Sequence, residues 1–457
     1  LDLLIRDILT ATGGRLESGH PEIPVVRIST DTRTLHPGDC FIALRGERFD
    51  GHDFIAEALL RGARSVVVDH PVAQAAGVTQ VVVPETLRAM GDIAAFWRRR
   101  MRTVRLSVVV GSNGKTTTKE MAGRVVAAAR RTLCTEGNLN NLVGVPRMLF
   151  DLSSRHEAAV LELGMNRPGE MARLAQIAQA DCVALLNIRD AHIGNFGSQE
   201  ALFEAKSDAL RYSPSHACLI VNADDPLASR AVREYGAGRQ VTTFGLGAEA
   251  DVSASDLSPL SPFGTRFRLN IRGEKPLAVE LRAFGRHNVW NALAAAAIGR
   301  LHGVPAETIA LQLSLFHAAG SRSEVEERNG YYIIKDYYNA SPAAVEAALR
   351  SLADFHVPGR RVALLADMLE LGAEEERYHR AVGEAAAEAG VHLLLTLGQR
   401  AAWIADGARA RGLAAEHMPD AEAAATRLSR LLEPGDLLLM KGSRLMKLEQ
   451  VYERLKG

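Results

Sequence analysis

The chain reads as an α/β protein of three domains: a small mixed α/β N-terminal domain, a central P-loop-type domain on a mostly parallel sheet, and a C-terminal Rossmann-like α/β domain. Three observations predict this. The 457 residues are too many for one compact core, at a prior of about 150 residues per domain. Short apolar runs alternate with helical patterns through residues 104–222 and again through 332–440, which implies parallel strands with helices on both sheet faces. An apolar strand over 104–110 also runs into a glycine-bracketed loop, 111–117, and then into a helix-compatible segment, 119–131.

In the first domain, 1–85, strands are expected over 25–28, 40–44 and 65–69, with a helix over 54–62. Each expected strand is a short apolar run that ends at polar or turn residues. A helical pattern over 86–102 leads into the loop-bearing strand and opens the central domain, 86–316. Further buried strands are expected there over 158–161, 183–188 and 218–222, and an alanine-rich helix over 289–301. The last domain, 317–457, carries a second series, with strands over 332–334, 362–366, 393–397 and 437–440. Ligands of such folds collect at the carboxyl ends of the strands, so the residues that follow each strand are the ones to inspect.

Composition narrows the class. Lys plus Arg and Asp plus Glu are equal at 54 each, which gives no reason to expect nucleic acid or an anionic membrane surface as partner. The dense basic run Arg98, Arg99, Arg100 and Arg102 falls at an expected helix end, where cations suit the dipole, and reads as a solvated terminus. Cys40, Cys134, Cys182 and Cys218 are widely spaced, as expected of reduced thiols rather than a disulfide framework or a zinc site. No apolar run approaches the roughly 20 residues of a membrane span, and the N-terminus has no signal-peptide pattern. A cytoplasmic monomer is expected.

The loop carries the first chemistry. Backbone N–H groups of Gly111, Ser112, Asn113 and Gly114 and of the following helix start converge on anionic oxygens in such a turn. Lys115 reaches terminal phosphates, and the hydroxyl of Thr116, followed by Thr117, is placed to ligate Mg²⁺. Val109 stands where the longer form of the motif has its first glycine, so a short G-x-x-G-K-T remains. These residues are read as an ATP site. Glu162 follows the strand over 158–161, where an acid suits a nucleotide-bound Mg²⁺. His192 follows the next strand, and Lys206 lies fourteen residues on. By itself each has an ordinary reading: a strand-end acid, a packed loop histidine, a solvated helix lysine.

Together these stretches resemble the ATP-dependent Mur ligases of peptidoglycan synthesis. The resemblance rests on 111–117, on Thr135-Glu-Gly-Asn-Leu-Asn-Asn-Leu-Val-Gly-Val-Pro146, on Glu162-Leu-Gly-Met165, on the His192 loop and on Glu204-Ala-Lys206. It implies one domain for a UDP-sugar precursor, one for ATP and one for the incoming amine. It implies two Mg²⁺ ions, one on Thr116 and Glu162, the other held by His192 and a carbamylated Lys206. Four more stretches narrow the step. They are Ser29-Thr-Asp-Thr-Arg33 with 41–54, Gly285-Arg-His-Asn-Val-Trp-Asn291, Asp336-Tyr-Tyr-Asn-Ala-Ser-Pro342 with 367–372, and Lys441-Gly-Ser-Arg-Leu-Met446. They resemble the members that join D-alanyl-D-alanine to UDP-N-acetylmuramoyl-tripeptide. The D-N-P-R motif of members adding diaminopimelate or lysine is absent, and the corresponding strand end reads Leu397-Gly-Gln-Arg400.

By that resemblance the precursor falls to Ser29, Thr30, Asp31, Arg33, Phe49, Asp50, Gly51 and His52, together with Asn138, Asn140 and Asn141. His287, Asn288, Asn291, Arg322 and Asp336 join the loop around ATP, and Tyr338, Asn339 and Ser341 face the dipeptide. Lys115, Lys206 and His192 are the catalytic set. Lys335, Ser341 and Ala366 depart from the family pattern, all in the third domain. A paralogous ligase for another amine is therefore the alternative, and a nucleotide-gated scaffold without catalysis is the reading from another class.

Overall fold

Three large sheets of five, nine and six strands follow one another along the chain, beside a two-stranded ribbon. The structure, a computed structural model, describes all residues except 47–48, 190–195, 261–262, 319, 354, 356 and 457. Among the described residues no helix is long and apolar enough to cross a membrane. All four cysteines are free, Cys40 and Cys182 being buried.

The first sheet runs in the order Arg15–Ser18, Thr79–Val82, Ser65–Val68, Cys40–Ile42, Ile28–Ser29. The strand expected over 25–28 is split. Pro24–Val25 pairs antiparallel with Leu3–Leu4, and Ile28–Ser29 pairs parallel with Cys40–Ile42. Between them Val26 faces solvent, so the apolar run changes partners instead of continuing. The helix expected over 54–62 is a 3₁₀ turn, Gly51–Phe54, followed by Ile55–Leu60.

In the central sheet the loop-bearing strand Arg105–Val110 lies between Ala158–Glu162 and Cys182–Leu185, parallel to both. Leu106, Val108 and Val110 pack into one apolar cluster and Val109 into another. Burial on both faces is what a near-continuous apolar strand requires. From Cys182–Leu185 the sheet continues through Cys218–Asn222, Val241–Gly245 and Val252–Pro259 in parallel. It then turns antiparallel through Thr265–Ile271 and Leu277–Leu281. This extension was not among the expected strands. Its signal is alternation of period two: Phe267, Leu269 and Ile271 are buried while Arg266 and Arg268 are exposed, as on a sheet with one solvated face.

The loop's helix, Lys115–Ala127, packs on the alanine-rich helix His287–Leu301. Small side chains there let the two backbones approach. A methyl group at Gly299 would meet Val125 Cγ1 at 2.5 Å. That close crossing delivers the start of the second helix to the nucleotide loop.

The basic run at the end of Thr86–Arg100 is not the solvated terminus expected. Arg98 is buried, donates to the carbonyls of Met101 and Val104, and pairs with Asp181 at 2.7 Å. It ties the helix to the amino-terminal ends of two inner strands of the central sheet, whereas Arg99 and Arg100 remain exposed.

The third sheet runs Glu324–Arg328, Tyr331–Lys335, Leu437–Lys441, Arg361–Ala366, Leu393–Leu397, Ala415–Met418. Only the first pair is antiparallel. The four strands expected here all form, each within a residue of its expected ends.

Candidate active site

The carboxyl ends of three neighbouring central strands converge on the loop after Val110. Gly114, with φ 82°, ends the loop and starts the helix. This is left-handed backbone that favours glycine, and there is no room for a side chain either. A Cβ on Gly114 would lie 2.3 Å from Asn291 Oδ1. Lys115 Nζ donates to the carbonyls of Gly111 at 3.0 Å and Ser112 at 3.1 Å. Burial lowers its pKa; the Glu162 charge opposes this, and the Arg322 charge adds to it.

The Mg²⁺ pair inferred by resemblance is in contact: Thr116 Oγ1 donates to Glu162 Oε2 at 2.7 Å. Asn140 Nδ2 donates to the other oxygen, Oε1, also at 2.7 Å, and the Glu162 amide donates to Thr135 Oγ1. Both carboxylate oxygens are thus held, and the backbone behind them is anchored, in a buried position. An anionic oxygen beside a hydroxyl is the donor set hard divalent cations take, so these residues fit Mg²⁺.

Lys206 projects from Gln199–Arg211 and is buried. Its Nζ meets the Gly111 carbonyl at 3.5 Å. Burial first, and the Lys115 charge second, push its pKa down to about 7. The solvated-charge reading of this lysine does not hold. His192, which the resemblance pairs with Lys206, lies outside the described residues.

His287, Asn288 and Asn291, given to the adenine side by resemblance, lie in the first turn of their helix. Asn291 Oδ1 accepts from Thr118 Oγ1 at 3.2 Å, Asn291 Nδ2 donates to Asn288 Oδ1, and Asn288 Nδ2 donates to the Phe284 carbonyl. His287 is pushed down by burial, and its Nδ1 is buried with no hydrogen-bond partner. A polar atom left unpaired in this way calls for a ligand or an ordered water. Thr117 is half-buried in the loop's helix beside these groups.

The third domain reaches the same loop. Ser341 Oγ donates to Asn113 Oδ1 at 3.4 Å. Arg322 lies over the Tyr338 ring at 3.7 Å. Asp336 accepts from the Ser323 amide at 2.9 Å and from Lys441 Nζ at 2.6 Å, and Lys441 also donates to the Asn339 carbonyl. Lys335 does not face this site. It pairs with Glu324 at 2.7 Å and Glu326 at 3.0 Å over the Tyr452 ring, so its departure from the family pattern is absorbed in the outer hairpin. Ala366 is buried where a Cβ on Gly442 would come within 2.7 Å of its own.

The first-domain residues are organised but largely engaged with one another. Ser29 and Asp31 hold their own turn, and Arg33 pairs with Asp31 at 2.7 Å. The Asp31 carboxyl is held below its usual range, first by that guanidinium and further by the charge of Arg147. Thr30 is half-buried beside them. Asp50 accepts from the His52 amide and ring, Gly51 lies against the backbone of Ala43 and Leu44, and Phe49 is 72% exposed. Asn141 Oδ1 accepts the amides of Val143 and Gly144, while Asn138 stays exposed.

One residue at the centre was missed. Asn187 Oδ1 accepts from the amides of Ser112 at 3.1 Å and Asn113 at 3.0 Å, and its Nδ2 donates to the Asn113 carbonyl at 3.0 Å. The strand expected over 183–188 swallowed it, whereas the strand observed is Cys182–Leu185. A polar residue at the carboxyl end of the strand beside the loop was the available signal.

Known proteins share this arrangement. Residues 24–98 match the segment described as "Mur ligase family, catalytic domain", 109–299 the Mur ligase middle domain, and 321–444 "Mur ligase, glutamate ligase domain". A Bacillus subtilis (strain 168) protein described as UDP-N-acetylmuramoyl-tripeptide--D-alanyl-D-alanine ligase is 34% identical over 457 residues, covering 99% of this chain and 98% of its own. The crystal structure of MurF from Acinetobacter baumannii superposes with a TM-score of 0.92 at 32% identity, over 100% of this chain and 99% of that one. MurF ligase from Thermotoga maritima, in complex with ADP, gives 0.84 at 28% identity, over 94% and 97%. Matches to all three parts of the family, in order along one chain that carries the loop, the Thr116–Glu162 pair and the buried lysine, mean that the chain belongs to the Mur ligase family.

Proposed function

We propose that this chain is the ATP-dependent ligase that adds D-alanyl-D-alanine to UDP-N-acetylmuramoyl-tripeptide, giving the pentapeptide precursor of peptidoglycan, ADP and phosphate. The observation that carries the reading is the loop, with Lys115, the Thr116–Glu162 contact and buried Lys206 around it. The near full-length likeness to the Bacillus protein supports the choice of substrates.

A carboxylate is a poor electrophile, and amide formation needs it activated. A carboxylate oxygen of the tripeptide attacks the γ-phosphorus of ATP, the bond to the bridging oxygen breaks, and ADP leaves. The dipeptide's neutral amine then attacks the carbonyl carbon of the acyl phosphate. The tetrahedral intermediate expels phosphate, and the amine loses its proton. Positioning and charge neutralisation are the enzyme's main tasks in such a transfer. Lys115 shields the phosphate oxygens. Thr116 and Glu162 would hold one Mg²⁺, and His192 with a carbamylated Lys206 a second. When bound, these ions neutralise charge on the transferring phosphoryl group. His287, Asn288 and Asn291 border the base side, while Arg322 and Asp336 approach from the third domain.

A pKa of about 7 makes neutral Lys206 accessible, as reaction with CO₂ requires. A carbamate would also remove the repulsion between an ammonium and a metal ion. The domains would divide near residues 85 and 316, with the precursor on the first and the dipeptide at Tyr338, Asn339 and Ser341. The protein is taken to work as a cytoplasmic monomer, which its elution volume tests. Phosphate release measured with UDP-N-acetylmuramoyl-tripeptide and D-Ala-D-Ala tests the reading. Release that needs both co-substrates supports it, and release with neither or with only one rules it out. The alternative, a paralogous ligase for another amine, is resolved by exchanging the amine in the same assay.

A further inference from the structure

A second cluster of ligating side chains lies in the first domain, outside the ATP site. His52 Nε2, an Asp69 carboxylate oxygen and a His70 ring nitrogen all lie within 4.8 Å of one another. His52 Nδ1 is 2.6 Å from Asp50 Oδ1, an oxygen that also accepts the His52 amide at 2.9 Å. The carboxylate fixes the proton on Nδ1 and leaves the Nε2 lone pair pointing toward Asp69. The long contact from the Asp69 amide to Nε2, 3.3 Å, agrees with that tautomer.

Asp69 Oδ1 sits between the two rings, 3.2 Å from His52 Nε2 and 2.5 Å from His70 Nδ1. The rings are stacked at 4.7 Å between centroids. Arg45 Nε holds the outer oxygens, Asp50 Oδ2 at 3.0 Å and Asp69 Oδ2 at 3.1 Å. Its Nη2 makes a longer contact of 3.3 Å with Asp69 Oδ1, which a bound cation would displace.

We propose that His52, Asp69 and His70 form a binding site for a divalent transition-metal ion of the Zn²⁺ class, with Asp50 orienting His52 from behind. Two imidazoles and a carboxylate suit Zn²⁺, Co²⁺ or Ni²⁺ and do not suit Mg²⁺. Three protein ligands leave one position for water. A carboxylate behind a ligating histidine is the arrangement that fixes ring orientation and raises ligand basicity in zinc sites. His70, with 53% of its side chain exposed, gives the ion a way in from solvent. The ion would take the place of the direct contact between Asp69 Oδ1 and His70 Nδ1.

The site has a consequence that rests on the proposed function. His52 belongs to the 49–52 stretch assigned to the UDP-precursor, so an occupied site competes with precursor binding.

The test uses the full chain in saturating Mg²⁺. Zn²⁺ is titrated against a chromophoric chelator, and Co²⁺ is followed by its visible absorption. One equivalent of Zn²⁺ that His70→Ala weakens by about tenfold or more supports the site, as does a Co²⁺ band free of thiolate charge transfer and lost in that variant. Equal stoichiometry and affinity in both proteins overturn it. Competition predicts that Zn²⁺ raises KM for UDP-N-acetylmuramoyl-tripeptide in the parent and not in His70→Ala; an equal rise in both overturns that consequence. Turnover in Mg²⁺ alone reports separately on the ligase reading, so failure of the one is distinguishable from failure of the other.

Discussion

Lys115 and Lys206 both donate to the Gly111 carbonyl, and the charge of Lys115 adds to the burial that lowers the affinity of Lys206 for its proton. Their roles separate by test. Lys115 contributes charge and little apolar contact. Lys115→Ala is therefore expected to lower ligation at least ~100-fold, about 2.7 kcal/mol of transition-state stabilisation, while the melting temperature stays within about 4 °C. Near-normal turnover would remove the ATP-site reading. For Lys206 the sign follows from its folded pKa of about 7, below that of an ordinary lysine. The folded state binds fewer protons than the unfolded one between pH 7 and the usual lysine range, so stability rises with pH across that window and the burial cost is complete below about 7. The neutral amine grows over the same interval. Turnover should fall as pH drops through about 7 and be partly restored there by added bicarbonate. Lys206→Ala should be inactive and partly rescued by formate or acetate; full activity without rescue would exclude the carbamate.

Among the elements, the central strands were legible as apolar runs, and the loop could be placed from glycine, lysine and threonine spacing alone. What escaped was polar or alternating. Thr265–Ile271 alternates and so does not stand out as an apolar run, and the edge hairpin it forms was overlooked. Arg98 resembles its exposed neighbours in sequence. Its burial depends on Asp181, 83 residues away, which no local pattern shows. Asn187 was lost because the expected strand, 183–188, ran past it, whereas the observed one ends at Leu185. Its three hydrogen bonds to the loop backbone, at about 1 kcal/mol each, make it the clamp that sets the loop's shape. Asn187→Ala should raise KM for ATP about tenfold or more and leave KM for the UDP-precursor unchanged. Asn187→Asp keeps the acceptor and loses the donor, and should fall between. Equal loss of affinity for both substrates would mean general unfolding instead of a loop effect.

At the scale of the whole molecule, the third sheet meets the central one at the chemistry. Ser341 reaches Asn113, and the charge of Arg322 is felt at Lys115. Under the proposed function, these contacts would bring the amine side of the third domain up to the nucleotide loop. Of the three departures that left the amine open in the sequence, Ser341 lies on that side and Lys335 and Ala366 do not disturb it. Lys335 is spent on Glu324 and Glu326, and Ala366 is packed beneath Gly442. Asp336, Lys441 and Asn339 form the hydrogen-bonded floor beside Tyr338, and Arg400 is already paired with Glu375 at 2.5 Å. An amine carrying a second charged head group, such as meso-diaminopimelate, therefore has no free guanidinium at Arg400 to receive its distal carboxylate. D-Ala-D-Ala carries one carboxylate and no second amine, so it does not present that second charged head group. D-Ala-D-Ala should be used at least about tenfold better than L-Ala or meso-diaminopimelate in kcat/KM, a gap of ~1.4 kcal/mol that a shaped pocket supplies. The measurement is phosphate release with the tripeptide precursor fixed and the amine varied. Equal use of diaminopimelate would move the chain to another step of the pathway while leaving the ATP chemistry intact. Arg400→Ala separates the two cases further, because a paired, structural arginine should leave the amine preference unchanged and a substrate-binding one should relax it.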